Sequence, residues 1–352
     1  MARFKLGVVG YGNLGKELVR LLDMKRAALA GEGLELVLTC VLGRRGGVRA
    51  PEGLNCAELA ALAKGSHALE ALPGFDPSLG LARALDEGVF DIAAEFTPTN
   101  RETGEPGLTH IRECLRRGVH VTTGNKGPVL LAWDELSALA QDRGLLLGVS
   151  CTTGGALPTL LNGRDAMAGS AILSMEGILN GTTNYILGRM EASGISYGEA
   201  LAEAQRAGIA EADPAMDVEG WDTAVKLLIM AKIVMGADLG LADIPVRGIT
   251  DVTVEDVRRA SSEGRRIKLT GRAWREGGAV RAEVAPRALE ADDPLSGVSG
   301  KEKAVLYASD TMGRLFICGG ASDPMAAAAA ALRDVVNAWR SGLLRREQGP
   351  AS

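Results

Sequence analysis

Phe4-Lys-Leu-Gly-Val-Val-Gly10-Tyr-Gly12-Asn13-Leu14-Gly15 begins as a strand-like run and passes straight into a glycine-rich turn. Leu14, Leu18, Leu21 and Leu22 then recur at the spacing of one helix face, and residues 34–42 form a second apolar strand. Strand, glycine turn, helix, strand is the setting in which a GxGxxG spacing reads as a dinucleotide-binding turn. Gly10 permits the sharp turn, Gly12 lets the backbone approach a pyrophosphate, and Gly15 lets the helix close on the strand. The free N–H groups and positive dipole of the helix start would receive that pyrophosphate. Three glycines in a plain turn is the alternative reading.

Outward from this turn the alternation continues. Helices are expected near 56–63 and 79–86, followed by a strand over 90–96. A helix near 108–117 leads to a strand over 119–123, and a helix over 133–142 to a strand over 145–149. Repeated strand–helix units predict an α/β fold with a doubly wound parallel sheet of Rossmann type over residues 1–150. Ligands of such sheets lie beyond the carboxyl ends of the strands. Thr97-Pro98-Thr99-Asn100 and Gly124-Asn125-Lys126-Gly127-Pro128 are read as loops there. Pro, Asn and Gly are ordinary turn residues as well, but Lys126 has no structural need to stand at a strand end.

After residue 150 the texture changes. Long helices are expected over 195–207 and 219–235. Short strands over 267–272, 279–284, 304–307 and 315–317, separated by Gly and Asp turns, read as a mostly antiparallel sheet. An alanine-rich helix over 324–340 follows, so the remainder of the chain is of α+β character.

At 352 residues the chain is long enough for two domains, each with a sizeable core. A hydrophobic share of 46% against 24% charged residues is that of a soluble globular protein. The net charge of −5 argues against nucleic acid or an anionic membrane as the main partner. No apolar run reaches the length of a membrane span, and the early strand leaves no room for a signal peptide. Cys40, Cys56, Cys114, Cys151 and Cys318 are scattered without CxxC spacing, the pattern of reduced cytosolic thiols. His67, His110 and His120 are not clustered, so no metal site is expected. A cytoplasmic protein is predicted whose chemistry comes from acids, lysines and a borrowed cofactor.

The end of the second strand bears on that cofactor. Folds that prefer NAD usually carry an acid there for the ribose hydroxyls. Here the strand ends in Gly43-Arg44-Arg45-Gly46, with no acid before Glu52. Arg44 and its neighbour fit a 2′-phosphate, which predicts NADP, with NAD as the alternative. A solvated basic turn is the other reading.

Near the middle, Glu211-Ala-Asp213-Pro-Ala-Met-Asp217-Val-Glu-Gly220-Trp-Asp222-Thr-Ala-Val-Lys226 gathers acids around a helix start. Asp222 and Lys226 are neighbours on one helix face, ahead of the apolar Leu227-Leu228-Ile229-Met230-Ala231. A lysine beside an acid, entering an apolar segment, is how a proton-transfer site is written. It is equally how an amphipathic helix carries an ion pair.

Asn180-Gly181-Thr182-Thr183-Asn184-Tyr185-Ile186, followed by the stretch from Ala204 through Gly208 to Lys226, resembles homoserine dehydrogenase. Thr122-Thr-Gly-Asn125-Lys126-Gly-Pro128 is similar to that family's asparagine–lysine loop. Gly319-Gly320-Ala321, before the alanine-rich helix, is similar to its final cofactor loop. The likeness runs from Gly7 to about Val336, and the order and spacing of the pieces carry it.

The resemblance implies hydride transfer between a nicotinamide cofactor and the L-homoserine/L-aspartate 4-semialdehyde pair, in threonine and methionine biosynthesis. It implies Lys226 as the lysine that handles the hydroxyl proton, with Asp222 beside it. Glu211 and Asp217 are implied as acids that hold the substrate, Gly181 and Thr182 as substrate contacts, and Lys126 as reaching substrate and cofactor. Gly10, Gly12, Asn13, Leu14, Gly15, Thr97, Asn125 and Gly320 are implied as cofactor contacts. The family's fold implies a nucleotide domain over 1–150 completed by about 318–352. It also implies a substrate-binding, catalytic and dimerisation domain over 151–317, and hence a homodimer. The chemistry is consistent: removing a hydride from an alcohol carbon requires a proton acceptor on its oxygen. A zwitterionic substrate needs acids for its ammonium and a cation for its carboxylate. Burial and a neighbouring carboxylate pull a lysine's proton affinity in opposite directions.

One stretch departs from the family pattern. Members often carry Glu-Ala ahead of a Thr-Val-Gly-Gly stretch, and that glutamate resembles a ligand for a monovalent cation, with backbone carbonyls nearby. Here the stretch is Ser150-Cys151-Thr152-Thr153-Gly154-Gly155-Ala156-Leu157-Pro158. Serine supplies no charge, so activity independent of sodium and potassium is expected. Two other readings stand beside this one. The first is another NADP-linked reductase of a small amino-acid-derived carbonyl. The second is a non-catalytic NADP-binding regulator, which would go with decay of the lysine–acid cluster, yet Lys126, Glu211, Asp217, Asp222 and Lys226 are all present. The sequence stops soon after the alanine-rich helix, so no appended regulatory domain is expected.

Overall fold

The computed structural model describes residues 1–63, 65–320 and 323–344, so Ala321 and the last part of the 318–352 stretch lie outside the described residues. The chain divides into two compact units, Met1–Thr152 with Asp323–Ser352, and Thr153–Ser322.

Six strands make the sheet of the first unit: β1 (Ala2–Val9), β2 (Leu34–Gly43), β3 (Gly46–Arg49), β4 (Ile92–Glu95), β5 (His120–Thr123) and β6 (Leu147–Gly148). Their order is β3-β2-β1-β4-β5-β6. All pairs are parallel except β2 with β3. Gly43 pairs with Gly46 across a two-residue turn, and Gly46 takes φ +131°, which folds β3 back on β2. Gly46-Gly47-Val48-Arg49 has little strand propensity, which is why its pattern does not announce it.

Successive residues of β1 divide between two cores, because side chains alternate across a strand. Phe4, Leu6 and Val8 join Leu18, Leu21 and Leu22 of the helix Asn13–Gly31 and Ala328, Ala331 and Val335 of the helix Pro324–Arg340. Val9 and Ala93 instead meet Leu85, Ile111, Leu115 and Leu136. These come from the helices Leu81–Asp86, Gly107–Arg116 and Lys126–Asp142. Helices therefore cover both faces, as a doubly wound sheet requires.

The last of these helices begins at Lys126, well before the expected 133. Asn125 caps it, its side-chain oxygen accepting from the Gly127 N–H at 3.2 Å. Pro128 in the first turn has no N–H to lose there. The stretch read as a loop is thus a helix start, and the helical geometry is interrupted at Ala132 instead, with φ −138°.

The second unit carries an antiparallel sheet in the order β11-β10-β7-β8-β9. Its strands are β7 (Ile172–Ile178), β8 (Arg266–Glu276), β9 (Ala279–Leu289), β10 (Lys303–Ser309) and β11 (Arg314–Gly319). The central strand β7 escapes pattern reading, because Glu176-Gly177 breaks its apolar run. It is held by pairing with β8 on one side and β10 on the other. A side chain at Gly271 would meet Thr223 and Leu227, which marks the face covered by the helix Trp221–Met235. The opposite face leaves Leu306 and Trp274 half-buried and Phe316 exposed. No helix among the described residues is long and apolar enough to cross a membrane.

Candidate active site

In the first unit the glycine turn does what its spacing asks. A Cβ at Gly10, where φ is +103°, would stand 2.6 Å from the Phe96 carbonyl oxygen. A Cβ at Gly15 would stand 2.2 Å from the Gly10 carbonyl oxygen, so neither position admits a side chain. Gly12 is different, with nothing within 4 Å of its added Cβ. It begins the helix Asn13–Gly31, and no side chain caps that end. The amides of Asn13, Leu14 and Gly15 precede the first intrahelical bond, which runs from Lys16 N–H to the Gly12 carbonyl at 3.0 Å. A bare helix start facing open space, with a glycine where a Cβ would fill that space, fits a dinucleotide pyrophosphate.

Beyond β4 and β5 the polar side chains converge on Glu95, which is 1% exposed. Its carboxylate accepts from the Thr97 N–H at 3.1 Å, from the Thr97 hydroxyl, and from the Thr123 hydroxyl at 3.0 Å. The His110 ring stands 3.5 Å away. Asn125 donates its side-chain amide to the Thr97 carbonyl and hydroxyl, each at 3.3 Å, and its backbone N–H to the Thr123 hydroxyl at 3.0 Å. Thr97 and Asn125, expected as cofactor contacts, are therefore tied to one buried carboxylate that sequence reading overlooked. The signal was present, since a glutamate ending an apolar strand rarely goes unpartnered. Lys126 follows as the first helical residue, its N–H 3.4 Å from the Thr99 hydroxyl.

Arg44 is exposed in the β2–β3 turn and bonds to no described residue. Arg45 is engaged, 3.1 Å from Glu70 and 2.7 Å from His67 Nδ1. The cysteines are free thiols, and burial pushes those of Cys40 and Cys114 up to about 12, so neither offers a thiolate.

In the second unit four polar side chains meet. Asn180 ends the segment after β7 and caps the helix Gly181–Ser193, its side-chain oxygen accepting from the Thr183 N–H at 3.0 Å. Its NH₂ donates to Asp217 at 2.7 Å and to Asp222 at 3.0 Å. Lys226 Nζ lies 2.5 Å from the same Asp222 oxygen and donates to the Leu179 carbonyl at 2.9 Å. The side chains of Asp222 and Lys226 are each 14% exposed.

Local sequence explains the convergence. Gly220 takes φ +89° between the short helix Ala215–Val218 and the helix Trp221–Met235. That reversal brings Asp217 and Asp222 to one amide. Asp222 in the first turn is favoured by the helix dipole, and Lys226 follows one turn later. The rest of that helix, from Leu227 to Ala231, is buried.

Of the other expected residues, a Cβ at Gly181 would stand 2.6 Å from the Lys301 carbonyl oxygen, and the Thr182 hydroxyl donates to the Ile209 carbonyl at 3.2 Å. Gly320, with φ +73°, lies so close to Leu157 that a Cβ would stand 2.6 Å from its backbone nitrogen. Glu211 is exposed, and its backbone carbonyl rather than its carboxylate accepts from Gln205, at 3.2 Å. Asn180, the residue that joins the cluster, stands out in the sequence only as part of a motif.

A family model for homoserine dehydrogenase matches residues 158–336. The chain is 36% identical to an NAD(+)-dependent homoserine dehydrogenase from Pseudomonas canavaninivorans, over 99% of each chain. It is 33% identical to a homoserine dehydrogenase from Methanocaldococcus jannaschii, over 95% of this chain and 98% of that one. Among solved structures, a homoserine dehydrogenase from Thiobacillus denitrificans superposes with a TM-score of 0.82 at 28% identity, over 98% of this chain and 76% of that one. With a bare helix start for a dinucleotide and a lysine held between an aspartate and a backbone carbonyl, this chain belongs to the homoserine dehydrogenases, the NAD(P)-dependent oxidoreductases that interconvert L-homoserine and L-aspartate 4-semialdehyde in threonine and methionine biosynthesis.

Proposed function

We propose that Lys226 exchanges the hydroxyl proton of the substrate, oriented by Asp222. The observation that supports this is the pair of contacts on Nζ, Asp222 at 2.5 Å and the Leu179 carbonyl at 2.9 Å. An ammonium has three N–H bonds, and two are directed at these partners. The third is left to give a proton to the aldehyde oxygen during reduction. During oxidation the neutral amine takes that proton back from the hydroxyl. A bound nicotinamide supplies or accepts the hydride.

Asp217 and Glu211 are proposed to hold the substrate ammonium, and Lys126 its carboxylate. Gly181 and Thr182 are proposed to shape the substrate's surroundings. The first-unit residues Gly10, Gly12, Asn13, Leu14, Gly15, Thr97 and Asn125, with Gly320, are proposed to contact the cofactor. Oxidation of NADPH by aspartate semialdehyde, in the protein and in Lys226→Ala, tests the central assignment. Near-normal turnover in the variant would overturn it.

For the cofactor we propose NADP. An exposed Arg44 without a partner among the described residues, and no acid at the end of β2, support a 2′-phosphate at that turn. The NAD(+)-dependent relative from Pseudomonas canavaninivorans favours NAD as the second reading. The ratio of kcat/KM with NADPH and NADH separates the two.

A homodimer in the cytoplasm is the proposed form of the protein. The half-open face of the second-unit sheet, with Leu306, Phe316 and Trp274, supports self-association. Light scattering should return a mass near twice that of the 36.7 kDa chain.

A further inference from the structure

The family resemblance raises a monovalent cation held by a glutamate and backbone carbonyls around residues 150–157. The donors present do not fit one. Serine replaces the glutamate, and the carboxylate beside it, Asp334, is engaged in accepting the Ser150 N–H at 2.9 Å. The turn 154–157 already carries a positive charge of its own. Lys303, only 4% exposed, donates its ammonium to the Gly154 carbonyl, the oxygen that also accepts from the Leu157 N–H at 3.3 Å.

Nothing about packing asks for a lysine at that position. Lys303, Val305 and Tyr307 share one face of β10, and the other two are fully buried. Tyr307 reaches the same segment from four residues further on, its hydroxyl donating to the Thr159 carbonyl at 2.6 Å. Thr153 and Thr159 join hydroxyl to hydroxyl at 2.6 Å. An apolar residue at 303 would continue this face, whereas burying an ammonium is unfavourable unless its charge is used. The turn it reaches also supports Gly320, whose backbone lies against Leu157.

We infer that the Lys303 ammonium is the resident cation of the turn 154–157, standing in for the dissociable monovalent cation that the family resemblance raises. The turn, and the Gly320 loop resting on it, are then held without added salt. A second cation is repelled from the same carbonyl.

The test compares the protein and Lys303→Ala in choline chloride, sodium chloride and potassium chloride at equal ionic strength. Readouts are thermal unfolding, kcat, and KM for the nicotinamide cofactor. The parent protein is expected to change less than about twofold in kcat/KM among the three salts, with one Tm. Lys303→Ala is expected to lose about tenfold in choline, as a charge-assisted bond is removed, and to regain part of that in sodium or potassium. Several-fold activation of the parent by either ion overturns the proposal. So does a variant whose loss is equal in all three salts, or one that loses nothing. Should the variant not fold, sodium-23 and thallium-205 resonance on the parent protein decides, since a saturable monovalent site there would overturn the inference. Either outcome leaves the proton role of Lys226 untouched.

Discussion

Two helix starts, one in each unit, are built on opposite plans. The helix at Gly12 begins without a side-chain cap and with open space above it, so its amides remain for a ligand. The helix at Asn180 begins with an amide that satisfies its own first turn through one atom and bridges two aspartates through the other. At the first, the chemistry belongs to the backbone, and glycine is chosen for what it lacks. At the second it belongs to side chains, and the cap doubles as the frame of a charged cluster. Dinucleotide recognition tolerates the first plan because a pyrophosphate needs donors and a dipole. Proton exchange needs the second, because a lysine must be held at a defined atom.

The sharpest way to break this contrast is Lys226→Ala, expected to lower kcat by about 10³-fold with little change in homoserine KM. A fall confined to KM would turn Lys226 into a binding residue. Asn180→Asp comes next. Aspartate caps a helix as well as asparagine does, so thermal stability should hold nearly level. It cannot donate to Asp217 or Asp222, however, and a third carboxylate joins them. A loss of about 10–100-fold in kcat/KM is expected; an equal fall in Tm and no selective loss of activity would reduce Asn180 to a cap.

On the other side of the comparison, Gly12→Ala should fold normally, because its Cβ meets nothing, yet raise cofactor KM by about tenfold. Gly15→Ala should unfold the turn instead, with the Gly10 carbonyl 2.2 Å from the new atom. If both variants behaved alike, the division between open and closed glycines would fail. Arg44→Ala is expected to weaken NADPH by about tenfold while leaving NADH unchanged.

The smallest effect concerns pH. Burial holds the His120 ring below its ordinary pKa, with its Nδ1 accepting from the Leu146 N–H at 3.1 Å. As pH falls through the ordinary value near 6.5, the unfolded chain binds a proton that the folded ring refuses. Stability present above that pH is therefore lost below it, and Tm should decline by a few degrees between pH 7 and 5. His120→Asn, which keeps an acceptor, should flatten that slope.

Much of the first unit was legible because its signals are local. The order of Gly10, Gly12 and Gly15 after an apolar run predicted both the turn and the parallel sheet around it. Asp222 and Lys226 were legible as a pair for the same reason, since helix geometry alone makes them neighbours. What escaped reading depends on partners distant in sequence. β7 is a strand because β8 and β10 flank it, and its own Glu176-Gly177 argues otherwise. Lys126 looked like a loop residue because Asn, Gly and Pro signal turns and helix starts alike. Asn180 is visible in sequence only as part of a motif and not as a bridge, because Asp217 and Asp222 reach it across about forty residues. Glu95 was passed over as the end of a strand, its role resting on Thr97, Thr123 and Asn125 together.

The helix Pro324–Arg340 has a consequence for how the protein is made. It packs beside the helix Asn13–Gly31, with Arg340 Nη2 2.5 Å from Glu32, and receives the Ser150 N–H on Asp334. A ribosome therefore finishes all of the second unit before the first can close. At about 5–20 residues per second, that leaves roughly 10–30 s during which the groove for Ala328, Ala331 and Val335 stands open on the nascent chain. The apolar surface around Leu18 and Leu21 is then exposed to whatever else the cell offers it. Translation speed and chaperone supply, more than the finished stability of either unit, should set how much of this enzyme reaches its folded state.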